Sequence, residues 1–220
     1  GRLDHPNIVR VLDLSKMVEG RLTLVMERVG GTTLRRWLAA NPKPDGSLQR
    51  RYAEDLLQGL AYLEQQGVTH KDLKPDNLLV GDEGLKIIDF SLAEVPEDAG
   101  FCGTALYRDP ASMRWTHATD RYAAALCLFE LYAGRHAFDG RAPEPGEAPD
   151  VTPEDIDPPG LADFFGKALN ASPDLRFPST PAMRDALLAA LGGAVRAPDA
   201  TASADHLEAS TDLRKTGLSR

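Results

Sequence analysis

From His70 to Val80 the chain reads His-Lys-Asp-Leu-Lys-Pro-Asp-Asn-Leu-Leu-Val, and Asp89-Phe90-Ser91 follows nine residues later. Few folds can use such a stretch. Leu78-Leu79-Val80 and Leu85-Lys86-Ile87-Ile88 are short apolar runs flanking Gly81-Asp82-Glu83-Gly84, a strong turn signal, so a hairpin is expected to deliver Asp89 beside Asn77. The polar residues ahead of it fall in a tight loop. There Asp72 is placed to accept the proton of an attacking hydroxyl and Lys74 to neutralise charge on a moving phosphate, while Asn77 and Asp89 offer hard oxygens suited to Mg²⁺. Singly, an Asp or Asn here would be a turn former, and His70 a packed residue that organises the backbone. Jointly their spacing is a phosphoryl-transfer layout.

The stretch resembles the catalytic loop and metal-binding motif of eukaryotic-type protein kinases, with His-Lys-Asp for His-Arg-Asp and Asp-Phe-Ser for Asp-Phe-Gly. Asp72-x-Lys74-Pro75-x-Asn77 resembles the serine/threonine branch, and a bacterial member is expected. The resemblance implies an α+β, protein-kinase-like fold, mainly the helical C-lobe with remnant N-lobe strands and hinge. It also implies ATP and Mg²⁺ as cofactors and a protein substrate presenting Ser or Thr.

His5-Pro6-Asn7-Ile8-Val9 resembles the segment between the C-helix and fourth strand of a kinase N-lobe. On that reading the Gly-rich loop, the strand Lys and the helix Glu have no counterpart here, and with Gly1 in first place the chain is expected to be a fragment. Leu22 to Glu27 reads as a buried strand, broken by Val29-Gly30-Gly31 before an amphipathic helix near Thr33 with Leu34, Trp37 and Leu38 on one face. By resemblance this is the hinge. Met26 would be the gatekeeper, the backbone of Glu27 and Val29 would hydrogen-bond adenine, Leu79 would form the floor under it and Ile88 the back of the pocket. On residue pattern alone Met26, Leu79 and Ile88 would be plain core.

From Leu48 to Gln66 apolar residues recur at three and four, predicting a long core helix closed by Gly67. Asp120 to Gly134 reads as an almost wholly apolar buried helix and resembles the kinase F-helix, whose Asp anchors the catalytic loop. Residues 135–159, rich in Pro, Gly and acid, predict a surface loop, and two further amphipathic helices are expected over Leu161 to Asn170 and Ala182 to Leu191.

The segment after Asp89 departs from the family pattern. Ser91 stands for Gly, at a cost of about 1 kcal/mol if a positive φ is required there. Residues 92–102 contain no Ser, Thr or Tyr, so Lys71 has no phosphoacceptor to meet; Glu94, Glu97 and Asp98 read as solvated acids. Gly103-Thr104-Ala105-Leu106-Tyr107-Arg108-Asp109-Pro110-Ala111 resembles G-T-x-x-Y-x-A-P-E, and Thr104 would sit by Asp72 and Lys74 and favour hydroxyl substrates. The missing Glu would leave Arg176 without its acid. A buried unpaired Arg is costly, so a substitute such as Asp109, or local exposure, is predicted.

A net charge of -8 argues against a surface built for nucleic acid, and no apolar run of membrane-spanning length occurs. Cys102 and Cys127 lack metal spacing and are expected as free thiols in a cytoplasmic protein. Residues 1–193 thus read as a partial kinase domain, 1–29 closing the N-lobe and hinge and 30–193 forming the C-lobe. Residues 194–220, rich in Ala, Ser, Asp and Thr, suit a flexible linker or the start of a further domain, faintly similar to defence kinases of the phage-growth-limitation type. Three functions remain open: a serine/threonine kinase, a pseudokinase acting as a nucleotide-binding or regulatory module, and a small-molecule kinase of aminoglycoside type, against which the Lys74-Pro75 pair speaks.

Overall fold

A computed structural model describes residues 3–16, 22–93, 95–96, 103–152 and 156–192. The chain opens with β1 (Val11–Lys16) and β2 (Leu22–Met26), an antiparallel ribbon in which Leu14 faces Leu24 across the ladder. Val25 and Met26 are 41% and 39% exposed, against the expectation of a buried strand. The reason is architectural: among the described residues the ribbon is a separate two-stranded sheet with no helix or other strand packed closely on its faces.

Beyond the ribbon, β3 (Thr32–Thr33), β4 (Leu78–Gly81) and β5 (Gly84–Ile87) form a sheet of order β3-β4-β5, the last two being the predicted hairpin. Asn7 and Val9 bond the backbone of Ile87 at 2.8 and 2.9 Å and seat the N-terminal segment on this sheet. Thr33 caps α1 (Leu34–Ala40), accepting the Arg36 N–H, and Asp45 caps α2 (Gly46–Gln65) by accepting from Ser47 and Leu48. The periodicity of Tyr52, Leu56, Leu57, Leu60 and Leu63 becomes the buried face of α2, and Gly67 at φ 69° turns the chain out of it.

Helix α3 (His117–Ala133) is apolar almost all round because it is buried almost all round, from Tyr122 to Leu131. Against it pack α2 and α4 (Gly160–Ala168), and α5 (Thr180–Ala190) packs on α2 and α4 in turn; α4 and α5 match the two predicted C-terminal helices within a residue or two. Residues 135–159 contain no helix among those described, yet they are not purely a surface loop. Ala137, Phe138 and Ile156 are buried and close the core below α3, an apolar contribution too sparse to give a period. The readings made for Glu94, Glu97, Asp98, Cys102 and residues 194–220 lie outside the described residues.

Candidate active site

The loop ahead of β4 is fixed from below before any of its side chains face outward. Asp120, in the first turn of α3 and 1% exposed, accepts the N–H of His70 at 2.6 Å and that of Lys71 at 3.0 Å. Burial pushes the Asp120 carboxyl up; His70 and the two N–H donors pull the other way. His70 shares a hydrogen bond with the Ile88 carbonyl at 2.9 Å through Nε2 and accepts the Asp72 N–H at 3.3 Å through Nδ1, so it organises backbone as expected. Pro75–Asn77 form one 3₁₀ turn, and Ile88 N–H donates to the Asn77 carbonyl at 3.0 Å, which places the end of the hairpin beside the loop.

On this frame four predicted residues converge. Lys74 Nζ lies 2.6 Å from Asp72 Oδ2 and 2.8 Å from Thr104 Oγ1. Thr104 donates to Asp72 Oδ1 from its N–H at 2.9 Å and from its hydroxyl at 3.1 Å. Asn77 Nδ2 reaches the Asp72 carbonyl at 2.9 Å and Oδ2 at 3.1 Å. Asp72 is thereby held in one orientation beside the Lys74 ammonium, so its carboxylate can receive a proton without moving. Gly103, at φ 96°, makes the approach of Thr104 possible, because a Cβ there would stand 2.9 Å from the Lys71 carbonyl.

The remaining predicted residues are less tightly gathered. Asp89 is exposed and takes φ 64°, and its Oδ1 accepts the Ser91 N–H at 3.2 Å. The left-handed residue of this turn is therefore Asp89 and not Ser91, so the penalty expected for losing glycine does not arise. Asp tolerates that region better than most residues, because its short carboxylate can bond its own backbone. Among the described residues no group of three His, Cys, Asp or Glu could hold a metal. Asn77 and Asp89 nonetheless fit Mg²⁺: the Asn77 amide nitrogen is spent on Asp72, which leaves Oδ1 as a free acceptor, and Mg²⁺ takes few protein ligands, filling the rest with water and phosphate.

Met26 is partly exposed, and Val29, Leu79 and Ile88 are half-buried at the end of the ribbon and on the sheet. The Glu27 N–H donates to the Arg10 carbonyl at 2.9 Å, so only its carbonyl is left for a base. Its side chain is held below the usual carboxylate range by the Lys86 ammonium at 2.9 Å and by the Arg10 N–H at 3.0 Å.

Three features escaped the sequence. Arg35 of α1 donates to Glu130 Oε2 at 2.7 Å and to the Tyr107 hydroxyl, which in turn donates to Glu130, joining residues up to 95 apart. Trp115, 8% exposed, packs against the Gly103 turn. Lys71 sends its ammonium to the carbonyls of Ala93 and Val95. The predicted acid for Arg176 is Asp109: Nη1 lies 2.6 Å from Oδ2, with the side chains 8% and 2% exposed.

Compared with known proteins, residues 1–177 match the protein kinase domain. The serine/threonine-protein kinase PrkC of Bacillus subtilis is 33% identical over 150 residues, covering 64% of this chain and 23% of that protein. A probable serine/threonine-protein kinase of Streptomyces coelicolor is 32% identical over 217 residues, 87% of this chain and 32% of its own length. The mitogen-activated protein kinase mpkC of Aspergillus oryzae is 36% identical over 147 residues, 64% of this chain and 42% of that protein. The chain thus spans less than half the length of these relatives. By the match over most of its length, and by the loop that the match includes, the chain belongs to the protein kinase domain family.

Proposed function

We propose that the protein transfers the γ-phosphate of ATP to Ser or Thr hydroxyls of a protein substrate. The observation that carries this is the Asp72–Lys74–Thr104 triangle, closed at 2.6, 2.8 and 3.1 Å, in a chain similar to serine/threonine-protein kinases. Asp72 receives the proton of the attacking hydroxyl, and Lys74 balances charge on the phosphoryl group in flight. Thr104 fixes the lysine and shapes the site for a hydroxyl on a short side chain. Asn77 and Asp89 would hold Mg²⁺, which when bound neutralises phosphate charge. Met26, Leu79 and Ile88 would line the adenine pocket, with the Glu27 carbonyl and the Val29 backbone on the base edge.

The roles divide along the chain: residues 1–29 as the end of an N-lobe and hinge, residues 30–193 as the C-lobe. No Gly-rich loop or phosphate-binding strand Lys occurs in these residues, so the 220 residues alone are expected to turn over weakly or not at all. No helix among the described residues is long and apolar enough to cross a membrane. A cytoplasmic protein with further domains is the reading we adopt.

A pseudokinase is the second reading, favoured by the exposed Asp89, whose carboxylate among the described residues engages its own turn, and by the altered Asp109-Pro110-Ala111. Phosphate transfer by the chain joined to a complete upstream lobe, beside its Asp72→Asn variant, decides. Transfer lost with Asp72 supports the enzyme. Nucleotide binding without transfer in the wild type supports the pseudokinase.

A further inference from the structure

Between the start of α3, the end of α4 and the loop that leads into α5 lies a cavity of about 260 Å³. None of the residues lining it belongs to the site around Asp72. Its inner wall is apolar, with Ala168, Phe177 and Met183 only 4%, 8% and 1% exposed. One buried cation is set into that wall. The Arg176 side chain is 8% exposed; its Nε donates to the Asn170 carbonyl at 2.7 Å and its Nη1 to Asp109 at 2.6 Å, but Nη2 has no partner. The guanidinium lies over the Tyr122 ring at 4.4 Å, and the hydroxyl of that tyrosine is also buried without a partner. A buried donor left unmet is costly, the more so on a cation. Arg121, the other cation of the lining, is already paired with Glu64 at 3.1 Å, and Asp174, its one acid, is exposed.

We propose that this cavity binds a monocarboxylate with a one-ring apolar body, its ring against Ala168, Phe177 and Met183 and its carboxylate on the free edge of Arg176. The size fits, since a cavity of about 150 Å³ already takes benzene and the extra room here suits a carboxylate. The charge fits as well. A guanidinium offers five donors in a planar fork and can serve Asp109 on one edge and a guest on the other. Nη2 is itself covered, so the guest reaches it by a small turn of the guanidinium on the Tyr122 face, which a flat stacking contact permits. A phosphate fits less well, because its remaining oxygens would face apolar wall unmet. The site goes beyond the phosphotransfer reading and does not depend on it.

Spectra of the 220-residue chain with carbon-13 in its methionine methyl groups test the site without needing activity. Met183 lines the cavity, while Met113 is 75% exposed and does not. Sodium benzoate is expected to shift the Met183 methyl saturably, half-way at about 1 mM, and to leave Met113 in place. Benzamide, the same ring without the charge, is expected to need at least about tenfold more, which tests the role of Arg176 without a variant that strands Asp109. Inorganic phosphate at matched ionic strength is expected to move neither methyl. Ala118→Leu, half-buried at the start of α3 and part of the lining, is expected to fill the entrance and abolish the Met183 response. No saturation of the Met183 shift by about 30 mM benzoate, or a parallel shift of Met113, overturns the site. Benzamide equal to benzoate overturns recognition of the carboxylate, phosphate acting like benzoate overturns the ligand class, and a full response in Ala118→Leu places the benzoate elsewhere and overturns the assignment to this cavity.

Discussion

Replacing Asp109 by Asn leaves Arg176 as a buried cation whose opposing charge is gone. The pair is 2.6 Å long and its side chains are 2% and 8% exposed, so solvent can do little to compensate. Removing one partner of such a pair costs about 3–5 kcal/mol. Arg176 keeps two other supports, the Asn170 carbonyl at 2.7 Å and the face of Tyr122 at 4.4 Å, which places the loss at the low end, about 3 kcal/mol. Asn retains the oxygen that accepts the Ala111 N–H at 3.0 Å, so the turn itself survives. Urea unfolding of the 220-residue chain at 25 °C measures the effect, and with a slope of about 2 kcal/mol/M the midpoint falls by about 1.5 M. Asp109→Asn/Arg176→Met should lose about 2 kcal/mol less than the sum of its parts. Asp109→Ala/Ala111→Glu, which returns the acid two residues later, should recover at least half the loss. A midpoint shift below about 0.5 M for Asp109→Asn, with unchanged slope, would refute the claim that Asp109 serves as the acid for Arg176.

Gly103→Ala forces a Cβ to 2.9 Å from the Lys71 carbonyl at φ 96°, and a loss of about 2 kcal/mol with weakened Thr104–Asp72 contact is expected; wild-type stability in thermal unfolding would show that the turn has another conformation. Glu64 accepts from Thr180 and pairs with Arg121 at 3.1 Å; burial pushes its carboxyl up, but those partners outweigh it and hold it below the usual range. Burial also lowers Arg121 despite Glu64, which changes nothing near neutral pH because the guanidinium stays charged. A carboxyl lowered on folding contributes stability above its unfolded value, about 4.3, and that contribution fades as pH falls through the folded value. Glu64→Gln should therefore flatten the acid limb of the stability profile below about pH 4.5, and an unaltered limb would remove Glu64 from it. Cys127 is buried and its thiol is pushed well up, so it should resist iodoacetamide until urea unfolds the chain; labelling under native conditions would contradict its burial in α3.

Much of the fold and of the site was written locally. Helix α2, the β4–β5 hairpin and the loop between them depend on periodicity, a turn signal and short spacing, all visible within twenty residues or so. The acid for Arg176 was legible for another reason: a buried guanidinium has few tolerable environments, and Asp109 stands in the altered motif that lacks the usual Glu; of the two outcomes expected, a substitute acid or local exposure, the structure has the first. What could not be read was set by distant packing. Arg35, Tyr107 and Glu130 have no pattern in common, and only the docking of α1 against α3 joins them. The exposure of Val25 and Met26 depends on what lies over the ribbon, which no property of those residues reports. The left-handed turn fell on Asp89 and not on Ser91; Asp is one of the few residues besides Gly that accept that region, but a single Asp in a polar loop does not by itself report its φ.

Asp120 belongs to α3, yet it fixes residues made 50 positions earlier. During synthesis the side chains of Asp72, Lys74 and Asn77 all emerge well before the carboxylate that orders their backbone. A helix buried almost all round cannot be completed on its own either, since it needs α2 and α4 against it and α5 packed on those two. The nascent chain therefore carries this loop without the anchor of its backbone until α3 and the helices packed on it have formed. A product that stops short of Asp120 holds the full sequence of this loop without the carboxylate that fixes it.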